Sequence, residues 1–345
     1  MKIISNLSKL MPILFLALTF SSCSDDDDGN VVTTDPTIVD VAQSTNNLSI
    51  LVQALVAADG DLPNVLSGNG PFTVLAPTDD AFEDFLDAND FESLEDVPTD
   101  LLTMVLMNHV ISGEVSSNDL ISAGAGYTTT LATGPNNSPI SLYYNTSNGV
   151  VDFNGMSSVV TPDVEASNGT IHIVDQVIAL PTIATFATAN PALSNLVAAL
   201  QLADSQDGDD DPMLIPALSD ASNLFTVFAP TDDAFASLLT ELDPDGMTAL
   251  ADLEPSLVEA VLSYHVIAGA NVTSTDLTTA TVTTLGGDID IDATNLTITD
   301  PNARVSNIIP SLVNIQAVNG VVHAIDKVIL PLQSDSDGDS DSDND

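Results

Sequence analysis

Four histidines, two pairs of adjacent aspartates, an acidic loop and a single cysteine are the residues of this chain with the means to do chemistry. His109, His172, His265 and His323 could serve as bases or metal ligands, because imidazole changes charge near neutral pH. No HxxxH, HExxH or cysteine cluster accompanies them, so the ligand spacing of a zinc site is missing. Each lies within an apolar pattern, which predicts buried core histidines hydrogen-bonded to a neighbouring element.

Asp79–Asp80 and Asp232–Asp233 look like paired carboxylates for acid–base work. Adjacent residues in a first helical turn point in different directions, however, and no base or nucleophile stands with them. Helix capping accounts for them better, with Thr78 and Thr231 as N-caps and Asp79 and Asp232 at the positive end of the helix. Asp207, Asp209, Asp210 and Asp211, inside ADSQDGDDDPM (203–213), offer the closely spaced oxygens that calcium takes. Neither this loop nor DSDGDSDSDND (335–345) places the glycine and terminal glutamate of an EF-hand. Calcium is therefore one reading of the loop and a solvated acidic surface the other. GxSxG is absent, and GNG (68–70) and GAG (124–126) lack the third glycine of a dinucleotide loop. The sequence predicts no active site and no cofactor beyond that possible ion.

The elements that must position these residues occur twice. Residues 72–82 read FTVLAPTDDAF and residues 225–235 read FTVFAPTDDAF, differing only at Leu75 against Phe228. A repeat this long means two complete domains in tandem rather than the short units of a solenoid. Each block predicts a buried strand, a stop at the proline, a threonine cap, and a helix whose buried face begins at Phe82 or Phe235. Ahead of it, Leu48, Leu51, Val52, Leu55 and Val56 keep the spacing of an amphipathic helix, as do Leu193, Leu196, Val197 and Leu200. Behind it, Leu101, Leu102, Val105 and Leu106 lead to His109, and Leu257, Val258, Val261 and Leu262 lead to His265. TVTTLGGDIDID (281–292) predicts a hairpin. Each half closes on a strand with a further histidine, NGTIHIVDQVIALP (168–181) and NGVVHAIDKVILP (319–331). Between the first helix and the repeated block the second copy carries eight extra residues, most of them in the acidic loop.

The net charge of −46, with only Arg304 and Lys327 basic beyond the first 22 residues, excludes partners that need Lys/Arg clusters. Nucleic acid and anionic headgroups fall away, while an extracellular protein, a neutral polysaccharide or a divalent cation stays open. Residues 1–22 carry Lys2 and Lys9 ahead of LMPILFLALTF (10–20), an apolar run too short to span a bilayer. Cys23, the only cysteine, follows at once and precedes Ser24 and four aspartates.

These residues carry two resemblances. The leader ending at Cys23 resembles a bacterial lipoprotein signal, and CSDDDD resembles the tether that sends Bacteroidetes lipoproteins to the outer face of the outer membrane. The likeness implies lipidation of Cys23, with membrane contact through that anchor alone; secretion or a periplasmic location is the alternative. FTVxAPTDDAF, the helix-end NHV or YHV, and NGxxHxxDxVIxLP or its shorter copy together resemble the fasciclin domain, with Asn108 in place of the first copy's usual tyrosine. The likeness implies an α+β fold of two tandem domains, each a β-sandwich or wedge with packed helices, at 35–181 and 182–332. It implies a non-catalytic role in cell adhesion or matrix contact; a glycan-binding accessory lipoprotein of polysaccharide uptake is the alternative. Residues 23–34 form the tether, and 333–345, which hold only Gln, Ser, Asp, Gly and Asn, predict a disordered tail.

Overall fold

The computed structural model describes residues 35–147, 149–205 and 213–332. The leader, Cys23, the tether, Asp207, Asp209, Asp210, Asp211 and the acidic tail lie outside the described residues.

The first half places helices α1 (Ile38–Ser44), α2 (Ser49–Ala57), α3 (Leu62–Leu66), α4 (Asp79–Ala88), α5 (Thr99–Asn108) and α6 (Ser117–Ala123) around its strands. The strands are β1 (Phe72–Pro77), β2 (Val110–Ser112), β3 (Ala125–Thr133), β4 (Pro139–Ser147), β5 (Val150–Phe153), β6 (Ser157–Ala166) and β7 (Gly169–Val174). The second half repeats the order as far as the strand after its histidine-ended helix and then goes straight to strands, without a counterpart of α6. It holds α7 (Ile183–Ala189), α8 (Ser194–Ala203), α9 (Leu214–Ser219), α10 (Asp232–Leu242) and α11 (Pro255–Ser263). Its strands are β8 (Phe225–Pro230), β9 (Val266–Ala268), β10 (Ala280–Thr283), β11 (Asp288–Asp292), β12 (Thr297–Thr299), β13 (Val305–Asn307), β14 (Ile315–Ala317) and β15 (Gly320–Ile325).

The repeated block forms the central strand of each half. β1 runs parallel to the closing strand β7, with Leu75 opposite His172, and antiparallel to β2. β8 does the same between β15 and β9, with Phe228 opposite His323. Such a strand is buried on both faces, which explains its apolar character, broken only by a buried threonine whose hydroxyl donates to Gly113 O or Ala270 O. Val74 and Ala76 face the helices, whereas Leu75 faces a second core between the sheets, with Leu142, Phe153 and Ile178. Phe228 occupies the equivalent place beside Ile289, Ile298 and Ile329, stacked on the His323 ring at 5.8 Å.

Both halves have the implied α+β build of sheets with packed helices, and they differ in closure: in the first, β1 to β7 close into a barrel. Long β3 reaches both β2 and β4, and long β6 reaches both β5 and β7. The second half keeps two separate four-stranded sheets, one of β10 to β13 and one in the order β14, β15, β8, β9. There the strands are short, and Pro310 breaks the stretch between β13 and β14. One expectation, on helix faces, needs correction: Val56 is 73% exposed and Leu257 52% exposed, although both keep the apolar spacing of their helices.

The halves meet through polar and aromatic groups. Gln316 N donates to Ser141 Oγ at 2.9 Å, and Asn136 Nδ2 donates to Asn271 O at 3.3 Å. Tyr127 packs against Tyr143 and the edge of Phe186, and its hydroxyl accepts from Asn190 Nδ2. No single helix among the described residues is long and apolar enough to cross a membrane.

Candidate functional site

His109 is fully enclosed where α5 ends. Its Nδ1–H donates to Val105 O at 2.7 Å, and its Nε2 accepts from Ile178 N at 2.8 Å. His265 repeats both bonds with Val261 O and Ile329 N. Each ring thus ties the end of a helix to the segment that follows the closing strand. Burial pulls both pKa values down to about 4, against the smaller opposing effect of the carbonyl each ring donates to.

His172 lies on β7 and has no solvent exposure. Its Nδ1 accepts from Asp163 N at 3.1 Å, which leaves the proton on Nε2 to donate to Val115 O at 2.9 Å. Ser117 Oγ donates a short bond to Asp163 Oδ2, so serine, aspartate and histidine stand together. The order is wrong for a nucleophile: the serine bonds the carboxylate, and neither imidazole nitrogen faces it. In the second half His323 accepts from Asn314 N and donates to Val272 O. There Asn314 Nδ2 donates to Ser274 Oγ, reversing the direction of the Ser117–Asp163 bond. Burial favours the neutral Asp163 carboxyl, but the bonds from the Ser117 hydroxyl and N–H outweigh it and leave the pKa below the usual value. All four histidines therefore have both ring nitrogens engaged, and no group of metal-ligating side chains forms among the described residues.

The threonine–aspartate residues are also engaged. Thr78 Oγ1 accepts from Ala81 N and Thr231 Oγ1 from Ala234 N. Asp79 reaches further than its own helix: its carboxylate accepts from Ser49 Oγ and Ile50 N at the start of α2. Asp232 does the same with Ser194 Oγ and Asn195 N. Leu48 and Leu193, which precede those helices, supply no side-chain cap of their own, so the carboxylate is brought in from the start of α4 or α10.

Sequence reasoning used the Asn-Gly pair that opens each closing strand as a landmark and gave it no structural role. Asn168 accepts from Ile38 N and donates to Leu66 O and Gly68 O; Asn319 accepts from Ile183 N and donates to Leu218 O and Asp220 O. Each asparagine thereby joins two helical segments to the sheet. Gly169 and Gly320 adopt φ +152° and +142°, and a β-carbon on either would lie 1.9 Å from the carbonyl oxygen of Phe72 or Phe225. The signal was the repetition of Asn-Gly directly ahead of an apolar strand.

Chemistry aside, the second half leaves an apolar groove of about 400 Å³ between α10, the short turn Leu250–Asp252 and α11. Phe235, Leu238, Leu239, Leu253, Leu257 and Val261 line it, together with Leu332. In the first half the counterparts Phe85, Leu86, Leu94 and Leu101 pack on the core together with Phe91, whose N–H bonds Leu86 O. The second half has no phenylalanine there; residues 243–249, three residues longer, make the connection.

The Fasciclin domain family model matches residues 46–181 and 192–331, so α1 and α7 precede the matched segments. The chain is 41% identical over 147 residues to the protein sll1483 of Synechocystis sp., covering 42% of this chain and 74% of that one. It is 26% identical over 276 residues to rabbit transforming growth factor-beta-induced protein ig-h3, covering 77% of this chain and 35% of the relative. In fold it is similar to the solved FAS1 domain pair of the insect cell adhesion molecule Fasciclin I, with TM-score 0.51 at 20% identity, covering 84% and 97% of the two chains. With two matched domains spanning most of its length, the chain belongs to the fasciclin family.

Proposed function

We infer that the protein is a non-catalytic, surface-anchored adhesion or matrix-interaction module whose two fasciclin domains act as one rigid presenter. The observation that supports this reading is that the histidines and the repeated aspartates are engaged in internal hydrogen bonds. What the two copies share is spent on architecture, and recognition falls to the surfaces where they differ. Lipidation at Cys23 and display at the outer face of the outer membrane belong to the same reading, supported by the leader and the acidic string after it. The neutral-glycan alternative has less support: the large apolar side chains left exposed among the described residues are aliphatic or methionine, not the aromatic platforms that sugars favour.

Two measurements test it. In a bacterial host fed labelled palmitate, the full chain should take up label and sediment with membranes, and Cys23→Ala should do neither. A labelled Cys23→Ala protein would overturn the anchor. Cells displaying the chain should bind a protein-coated surface more than cells lacking it; equal retention would overturn the adhesive role.

A further inference from the structure

We propose that the groove between α10, the turn Leu250–Asp252 and α11 receives a basic amphipathic helix from a partner protein. The inference rests on the interaction reading above and gives that reading a site. Three of the four exposed leucines among the described residues meet at this groove: Leu242 at 51%, Leu257 at 52% and Leu332 at 68%. Met247, 84% exposed, belongs to the loop that borders it. Apolar side chains gathered this way in an otherwise acidic surface mark a contact site, since single exposed leucines are ordinary but clusters are not. A floor of leucine and valine with Phe235 and Pro331, without a polar side chain, suits the i, i+3, i+7 anchors of a docked helix.

Charge selects the occupant. The stretch 241–254 around the groove carries Glu241, Asp243, Asp245, Asp252 and Glu254 and no Lys or Arg. Asp243 holds the loop, accepting from Met247 N and Thr248 N, while Asp245 and Glu254 are exposed. Of the two cations beyond the leader, Arg304 is neutralised by Glu241 Oε2 at 2.6 Å with Asp300 at 3.7 Å, and Lys327 is a single charge beside Val328. A partner with Lys or Arg flanking its apolar face complements this rim. A second copy of this chain would bring acid against acid. The chain's own residues 333–345 leave from Leu332 at the groove but contain no apolar side chain to fill it and add further negative charge.

The probe is a labelled eighteen-residue peptide of leucine and lysine with leucines at helical i, i+3, i+4, i+7 spacing, titrated with the purified full chain by fluorescence anisotropy. Two controls accompany it: the same lysine content with scrambled leucine order, and the same leucine order with glutamate for lysine. Micromolar binding of the patterned basic peptide, at least tenfold tighter than either control, is expected. It should weaken at least tenfold in the double variant Leu242→Ser/Leu257→Ser, and in a chain whose residues 243–249 are replaced by the first half's Asp-Phe-Glu-Ser (90–93). Both leucines are half exposed, so the double variant should keep its urea midpoint. Equal binding of the scrambled peptide would reduce the effect to net charge and overturn the groove, as would full binding by the variants. Peptide binding without cell adhesion would instead sink the adhesive reading and leave the groove standing; adhesion undiminished in the double variant would do the reverse.

Discussion

The two halves share a frame and differ in how they finish it. In both, a threonine–aspartate pair, two histidines and an asparagine–glycine pair make the same bonds at the same joints. Around that frame, the first half closes a barrel and packs Phe91 against its helices, while the second leaves two sheets and an open groove. One exchange shows how the frame absorbs change. Asn108 is buried and bonds Ile178 O and Thr130 Oγ1, whereas its counterpart Tyr264 lies against Gly286 and Gly287. A β-carbon on either glycine would fall about 2.5 Å or less from Tyr264, so the Gly-Gly of that hairpin serves the tyrosine ring as well as the turn. The lesson is that the threonine–aspartate, histidine and asparagine–glycine joints repeat, whereas Asn108 and the rim positions are free to diverge.

The largest test of the shared frame is Gly169→Ala against Gly320→Ala. Each should cost about 4 kcal/mol or more, since the new methyl meets backbone that cannot move aside. Urea denaturation of the full chain should show the two variants equally crippled; a mild effect in one half alone would break the equivalence. Next is acid. The unfolded chain protonates His109 and His265 as pH falls through 6.5, but the folded chain resists until about 4. Stability present at neutral pH is therefore lost across that window, by up to about 3 kcal/mol per histidine. Denaturation midpoints at pH 7 and 4.5 check this, and the double variant His109→Gln/His265→Gln should flatten the difference. Ser141→Ala probes the contact between the halves. It removes the acceptor of the buried Gln316 N–H and should cost about 1–3 kcal/mol. Calorimetry should then resolve two transitions where the parent shows one. The smallest effect belongs to Asp163→Asn, which copies Asn314. It should change stability by less than about 1 kcal/mol at pH 7. Below pH 4 it should remove part of the acid sensitivity, because a carboxyl held below its usual pKa gives up its stabilisation there as it protonates.

Much of the frame was legible because it is written twice. The strand, the stop at Pro77 and the cap at Thr78 follow from residue type, and the buried histidines follow from their apolar surroundings. The reach of Asp79 to Ile50 was not legible, since a helix-start aspartate looks the same whether it serves its own helix or a neighbour's. The closed barrel was equally hidden: it depends on β3 and β6 being long enough to turn from one sheet to the other, and residue alternation does not set strand length at bulges. The groove arose from a three-residue difference in a loop, where pattern reasoning has least to hold.

The parallel pairing of β1 with β7, and of β8 with β15, has a consequence for how the chain is made. The partners in each pair stand about a hundred residues apart, so the innermost strand of each half waits for the last one to emerge. No N-terminal fragment short of Val174 can complete the first half, which makes its folding all-or-none with respect to synthesis. A chain built this way stays unfinished, and so threadable, until a domain's final residues are in hand.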